Sequence, residues 1–257
     1  MNREAARLRL DAVSLGYEGR PVVEDLSLDV EPGEILVVVG SSGCGKSTLL
    51  RAIAGLLRPL SGVIAVDGQA VRSPCADRAL VFQDDALLPW RTARRNVELP
   101  LAIRGVPRDE RLRSAAEWLR RVGLAGHEDR LPGQLSGGMR QRVQLARALA
   151  GEPRVICMDE PFGALDAQTR ASMQRLLVEA WQTTGCTVVF VTHDVDEALA
   201  IGDRIAVLGP GGVTAQHRVP RPRDFGAAPN VGLRSTVVSD LVATRTHPTA
   251  QPPKAVA

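Results

Sequence analysis

Three groups of residues in this chain have the types and spacing to handle a polyphosphate. The first is Gly40-Ser41-Ser42-Gly43-Cys44-Gly45-Lys46-Ser47-Thr48. Its glycines allow backbone N–H groups to turn inward around phosphate oxygens, where a Cβ would collide. A helix opening at Lys46 adds unsatisfied donors and a partial positive charge. Lys46 has the reach for the β- and γ-phosphates, and the Ser47 hydroxyl is a ligand for Mg²⁺. The chemistry this stretch can do is the binding of a nucleoside triphosphate.

The second group is scattered along the chain. Asp159-Glu160 follows the apolar run Val155-Ile156-Cys157-Met158. Acidic strand ends are common, but behind a phosphate loop such a pair divides into two roles. Asp159 holds Mg²⁺, directly or through water, and Glu160 orients and polarises an attacking water. Gln83, after Ala79-Leu80-Val81-Phe82, offers an amide oxygen to the same ion, and His193 could touch the γ-phosphate. The third group is Leu135-Ser136-Gly137-Gly138-Met139-Arg140-Gln141-Arg142. A helix capped by Ser136 and opening with two glycines presents bare backbone N–H groups, a second place for an anion. One nucleotide does not need two such cradles. The economical arrangement is two chains head to tail, each glycine helix closing over the other chain's phosphate loop.

These groups need elements to position them. Ile35-Leu36-Val37-Val38-Val39 reads as a buried strand feeding the phosphate loop, and Leu49-Leu50-Arg51-Ala52-Ile53-Ala54 as the helix after it. Residues 7–30 alternate as two half-exposed antiparallel strands around Glu18-Gly19-Arg20-Pro21, and residues 62–68 read as strand and turn. Between Asp84 and Pro153 the periodicity becomes helical, with Leu112, Ala115, Leu119 and Val122 on one face. Met173, Leu176, Leu177, Ala180 and Trp181 mark a further amphipathic helix. Thr187-Val188-Val189-Phe190-Val191-Thr192 and Arg204-Ile205-Ala206-Val207-Leu208 are buried strands, and Asp194 with Glu197 makes a capping box between them. Alternating strands and helices with apolar strands predict an α/β fold with a mostly parallel sheet. Ligands of such sheets sit at the strands' carboxyl ends, where Gly40, Gln83, Asp159 and His193 all fall.

The totals restrict the reading further. Of 32 basic and 29 acidic residues, five basic and two acidic lie beyond residue 220, so the first 220 are balanced. A balanced surface argues against a nucleic-acid partner, which needs a concentrated basic face. The four cysteines (Cys44, Cys75, Cys157, Cys186) form no C-x-x-C pair, which fits a reducing compartment rather than a disulfide framework. The first residues are polar and charged, without a signal pattern, and no apolar run approaches the roughly 18 residues of a membrane span. The expectation is a chain that does not cross a membrane by itself.

Residues 8–220 as a set resemble the nucleotide-binding subunit of an ABC transporter. The resemblance implies that residues 40–48 are its Walker A motif, Gln83 its Q-loop residue, residues 135–138 its signature and residues 155–159 with Glu160 its Walker B and catalytic glutamate. His193 then stands at the switch histidine, and Ala164-Leu165-Asp166 at the D-loop, whose Asp166 communicates across the dimer. Tyr17 matches the aromatic that stacks on adenine, and Ser136, Gly137 and Gly138 bind the partner's γ-phosphate. The implied fold is a P-loop NTPase core with a small antiparallel β subdomain and a helical subdomain inserted at about 84–153. Residues 1–220 would be the ATPase domain, and 221–257 a short extension ending in a flexible tail. Phe82-Gln83-Asp84-Asp85-Ala86-Leu87-Leu88-Pro89-Trp90-Arg91-Thr92 and Thr192-His193-Asp194-Val195-Asp196-Glu197-Ala198 resemble the nitrate/sulfonate/taurine importer family more narrowly. That implies ATP and Mg²⁺ as cofactors and a second copy of the chain as partner. It further implies polytopic permease subunits bound at the cytoplasmic face of the plasma (inner) membrane, and indirectly an extracytoplasmic solute-binding protein. The Leu87–Trp90 segment would be the apolar patch offered to the permease, unless it packs inside the helical insert. His217 and His247 read as isolated surface histidines. Importers of a metal or a thiamine precursor, a soluble clamp on DNA or ribosomes, and a small-molecule kinase remain as alternatives. The Ser136-Gly137-Gly138 signature argues against the kinase.

Overall fold

The computed structural model describes residues 4–209, 211–220 and 230–245. The chain opens with an antiparallel pair, β1 (Leu8–Tyr17) and β2 (Arg20–Val30), with Tyr17 opposite Arg20 at the turn. The buried strand β3 (Ile35–Gly40) leads through the glycine loop into α1 (Lys46–Ile53). β4 (Ser61–Val66) pairs with β1, and β5 (Gln69–Ala70) with β4, giving a four-stranded sheet of order β2-β1-β4-β5. After β6 (Arg78–Val81) come three helices, α2 (Ala93–Ile103), α3 (Arg108–Arg121) and α4 (Gly137–Ala150). Then β7 (Val155–Asp159), α5 (Ala167–Thr184), β8 (Thr187–Thr192), α6 (Val195–Ile201), β9 (Arg204–Gly209) and β10 (Gly212–Arg218) follow in alternation. The last described element is α7 (Val231–Arg245).

The second sheet has the order β10-β9-β3-β8-β7-β6, and every pairing in it is parallel except β9 with β10. Its central strands are buried on both faces, which is why they read as unbroken apolar runs. Alternate residues serve different layers. Leu36 and Val38 face α1 and the antiparallel sheet, where Leu49, Leu50 and Ile53 meet Leu8, Leu10 and Leu26. Ile35, Val37 and Val39 face the opposite layer, built on Val143, Ala146, Leu177 and Ile201 of the helices. Leu49, Leu50 and Ile53 have no exposed surface, and each contributes roughly 1.5–3 kcal/mol relative to an exposed side chain. That burial fixes the helix on which the glycine loop ends.

Three local features depart from the sequence reading. First, α2 was not singled out as an element: Thr92 caps it by accepting from Arg95 N, and Pro100 stands inside it. Ala93, Val97 and Leu101 form its buried stripe at i, i+4 and i+8, a signal that Pro100 obscures. Second, the expected capping box at α6 is only half made. Asp194 Oδ1 accepts from Asp196 N (2.9 Å) and Glu197 N (3.2 Å), but Glu197 turns inward to accept from Gln174 Nε2. Third, part of the extension beyond residue 220 is the helix α7. Val237 is fully buried in the main core, and Arg234 pairs with Asp196 at 2.7 Å. His217 is correspondingly not an isolated surface residue, since its Nε2 lies 2.7 Å from Asp240 Oδ2. Leu233, Val237 and Leu241 were the legible helical spacing, hidden by the Pro- and Arg-rich composition around it. His247 and the tail 246–257 lie outside the described residues.

Candidate functional site

The parallel order places the carboxyl ends of β3, β8, β7 and β6 side by side. Gly40 ends β3, and any Cβ on it would stand 2.6 Å from both Cys44 Sγ and Leu208 O. Gly43 and Gly45 hold positive φ values of 82° and 99°, and a Cβ on Gly45 would meet Val23 Cγ2 at 2.3 Å. Glycine is therefore required at 40 and 45 by space and at 43 by backbone conformation. Lys46 is buried, and its Nζ donates to Gly40 O and Ser41 O, both at 3.0 Å. The ammonium thus folds back over the glycine loop. Cys44 is partly buried, and that burial raises its thiol above the ordinary cysteine range. Ser41, Ser42 and Thr48 complete the stretch, with Thr48 buried under the loop and Ser42 exposed. Tyr17, at the end of β1, is 45% exposed and accepts from Arg51 Nη1 at 3.1 Å.

Asp159 ends β7 next to this loop. Burial raises its carboxyl above the usual carboxylate range, against an opposing hydrogen bond from the Ser47 side chain. A serine hydroxyl on a half-desolvated carboxylate is a hard-oxygen pair suited to Mg²⁺. Among the described residues no three His, Cys, Asp or Glu side chains are grouped so as to hold a metal ion by themselves, so an ion held by Ser47 and Asp159 would draw further ligands from other oxygens, phosphate and water among them. Glu160 follows with a left-handed φ of 42°, a conformation that costs a non-glycine residue of order 1–3 kcal/mol. Its N–H donates to Val191 O at 3.0 Å, and Phe162 stacks obliquely on Phe190 with ring centroids 5.8 Å apart. Both contacts hold the strained turn to the end of β8. The side chain is thereby aimed at His193, whose Nδ1 lies 2.9 Å from Glu160 Oε2.

Gln83 is exposed just beyond β6. The backbone around it is gripped by α4 through Arg140, already in the signature stretch, and through Gln144 and Arg147, which the sequence does not single out. Gln144 Nε2 donates to Phe82 O and Asp84 O (both 3.0 Å), Arg147 to Ala86 O (2.9 Å) and Arg140 to the Asp85 carboxylate (2.6 Å). Spacing of i, i+4 and i+7 puts the three on one helix face, which was the available signal. The apolar patch expected at residues 87–90 is divided: Leu87 is buried among the helices, whereas Trp90 is 71% exposed. Trp90 and Arg91 border a cleft of about 350 Å³ with Arg95, Glu98, Ala102 and Arg111. A second cleft, about 450 Å³, runs along β6 between Leu99, Ile103 and Arg147. Arg94 pairs with Asp129 at 2.5 Å.

Ser136 caps α4 as expected, accepting from Met139 N at 3.3 Å, and Ser136 and Gly137 are exposed. Gly138 is held close to α5, where an added Cβ would come within 3.1 Å of Thr169 Cγ2. Thr169 in turn donates to both oxygens of Asp166, through N (3.0 Å) and Oγ1 (2.7 Å), which keeps that carboxyl below the usual range. The phosphate loop, Asp159, Glu160 and His193 are thus gathered at the strand ends, with Gln83 at the end of the neighbouring β6. The residues 136–138 and Asp166 form a second group on the α4–α5 side.

Known proteins share this arrangement. A family model described as ABC transporter matches residues 23–163. The taurine import ATP-binding protein TauB of Yersinia pestis bv. Antiqua (strain Antiqua) is 49% identical over 195 residues, covering 76% of each chain. That of Escherichia coli O157:H7 is 46% identical over 213 residues, covering 83% of this chain and 84% of the relative. The ATP-binding cassette MJ0796, solved as a dimer in a post-hydrolysis state with ADP and Pi, superposes with a TM-score of 0.74 at 34% identity. It covers 83% of this chain and 99% of its own. The chain belongs to the ABC transporter family, as one of its ATP-binding, ATP-hydrolysing subunits.

Proposed function

We propose that this chain powers uptake of a small sulfonate of the taurine type, as a homodimer bound to the cytoplasmic side of a membrane permease. Residues 40–48 cradle the triphosphate of ATP and Tyr17 takes the adenine. Ser47, Asp159 and Gln83 hold Mg²⁺, which supplies charge neutralisation at the phosphates. Glu160 takes a proton from the attacking water, and His193 fixes the Glu160 carboxylate and the γ-phosphate. Ser136, Gly137 and Gly138 close over the ATP of the second copy, with Asp166 at the seam. Residues 1–220 form the ATPase unit, with 84–153 as its helical insert and 221–257 as an appendage to it. The permease docks on the 82–91 segment, where Trp90 is exposed and, with Arg91, borders the smaller cleft.

The observation that carries the catalytic reading is the contact between His193 and Glu160 beside the Ser47–Asp159 pair. The solute class rests on the similarity to the taurine import ATP-binding proteins. Lys46→Ala should abolish ATP hydrolysis. Tagged Glu160→Gln protein, captured with ATP from detergent-solubilised host membranes, should bring down a polytopic permease. Recovery of soluble partners or nucleic acid alone would leave an ATPase and remove the transport role. Stimulation of the reconstituted complex by taurine, against a metal or a thiamine precursor, decides the solute.

A further inference from the structure

The two groups of site residues are connected through one side chain. Arg170, in the first turn of α5, donates from Nη2 to Leu165 O (3.0 Å) and from Nη1 to Asp194 Oδ2 (3.2 Å). Leu165 immediately precedes Asp166, and Asp194 immediately follows His193. Asp194 has no spare freedom. Its other oxygen caps α6, and its N–H donates to Thr192 Oγ1 at 3.0 Å, so the residues on both sides of His193 are pinned. Behind them Glu197 is buried and takes a hydrogen bond from Gln174 Nε2 at 3.1 Å. On the other side, Thr169 fixes Asp166 and abuts Gly138. A continuous line of contacts therefore runs from the signature glycine through the Asp166 turn and Arg170 to the histidine that holds Glu160.

We propose that Arg170 is a positioning residue that transmits dimer closure to His193. This rests on the reading that residues 136–138 and Asp166 meet the second copy. A second copy pressing on the Asp166 turn moves the Leu165 carbonyl. Arg170 relays that movement to Asp194, because a planar guanidinium with one donor on each partner cannot follow one without pulling on the other. The glutamate–histidine pair of one chain is then set by occupancy of the composite site that its own signature helps to form. The consequence is cooperativity in ATP, with both sites competent together. No bond is made or broken by Arg170, and it touches no nucleotide in this scheme.

The test compares wild type, Arg170→Ala and Arg170→Lys in steady-state hydrolysis, with the ring resonances of His193 read by NMR in the nucleotide-free chain. Arg170→Ala should lower kcat at least tenfold, leave KM for ATP within twofold and reduce the Hill coefficient toward 1. It should also shift the His193 resonances. Arg170→Lys keeps a charge but loses the paired donors, and should recover part of kcat with the cooperativity still reduced. Combining Arg170→Ala with Asp194→Asn should cost no more than the worse single change. Unchanged kcat and cooperativity in Arg170→Ala, or His193 resonances identical to wild type, would overturn the relay. So would a loss confined to thermal stability. If Arg170→Ala fails to fold, Arg170→Lys and Asp194→Asn make the same distinction. Absence of ATP hydrolysis by the wild-type chain, or of ATP-driven dimers of Glu160→Gln, would instead remove the underlying functional reading.

Discussion

His193 Nδ1 lies 2.9 Å from Glu160 Oε2, and the two side chains differ sharply in exposure, 67% for the histidine against 21% for the glutamate. The exposed partner reaches back to the sheltered one rather than out to solvent. The glutamate's backbone is held in a left-handed conformation at the same point. A strained base fixed by an exposed neighbour makes the two residues act as one unit. Glu160→Gln and His193→Ala should each slow single-turnover hydrolysis by about 10²-fold or more, the usual range for a lost general base. The double substitution should then be no slower than the worse single one. Multiplied losses would show that the residues contribute independently.

Cys44 sits inside the phosphate loop, yet burial raises its pKa and leaves little thiolate at neutral pH. Alkylation of the ATP-free protein should therefore be slow at pH 7 and accelerate as pH rises beyond the ordinary cysteine range. Cys75 is exposed and would react first, so the measurement belongs in a Cys75→Ser background. Burial holds Cys157 at about 12 and Cys186 at about 11, so neither competes. ATP should protect Cys44, and modification should track loss of hydrolysis. Full activity after verified labelling of Cys44 would place the thiol outside the cradle.

The strands and the chemistry at their ends were legible because each signal is local. A buried parallel strand must be an unbroken apolar run, and the glycines at 40, 43 and 45 are readable within one short stretch, although Leu208 and Val23 are what exclude a Cβ at Gly40 and Gly45. Side chains that bridge distant segments gave no such sign. Gln144 and Arg147 on α4 matter because they meet carbonyls about sixty residues earlier, and Arg170 because Asp194 comes to it from the cap of α6, beyond the next strand. Nothing in the sequence around Arg170 distinguishes it from a solvated helix charge. The helix α7 is a case of the opposite kind, a local pattern at Leu233, Val237 and Leu241 overshadowed by the composition of its surroundings.

Glu197 gives a pH dependence with a definite sign. Desolvation raises its pKa, partly offset by hydrogen bonds from Thr192 and Gln174. A carboxyl whose folded pKa is raised binds its proton more tightly when folded. Its contribution is most favourable below the unfolded value and is lost as pH climbs through the folded one. Glu197→Gln keeps an oxygen for Gln174 and removes the buried charge. The variant should be more stable than wild type at pH 7–8, with the difference shrinking toward pH 4. A variant less stable than wild type at pH 8 would mean that the charge, held near Arg170, is itself stabilising.

Gly138 separates two reasons for a glycine in one position. It could serve the anion, by baring the N–H groups at the start of α4, or it could serve packing, because a Cβ would stand 3.1 Å from Thr169 Cγ2. Gly138→Ala should lower hydrolysis in either case. Thr169→Ser removes the obstructing methyl while keeping the hydroxyl and N–H that hold Asp166. If the contact with α5 is the limiting factor, adding Thr169→Ser to Gly138→Ala should restore most of the lost rate. If the bare backbone is what matters, the pair should stay as slow as Gly138→Ala alone, and ATP-driven dimerisation of the Glu160→Gln form should weaken with it. The second outcome assigns Gly138 to the partner's phosphate, and the first assigns it to the joint between α4 and the Asp166 turn.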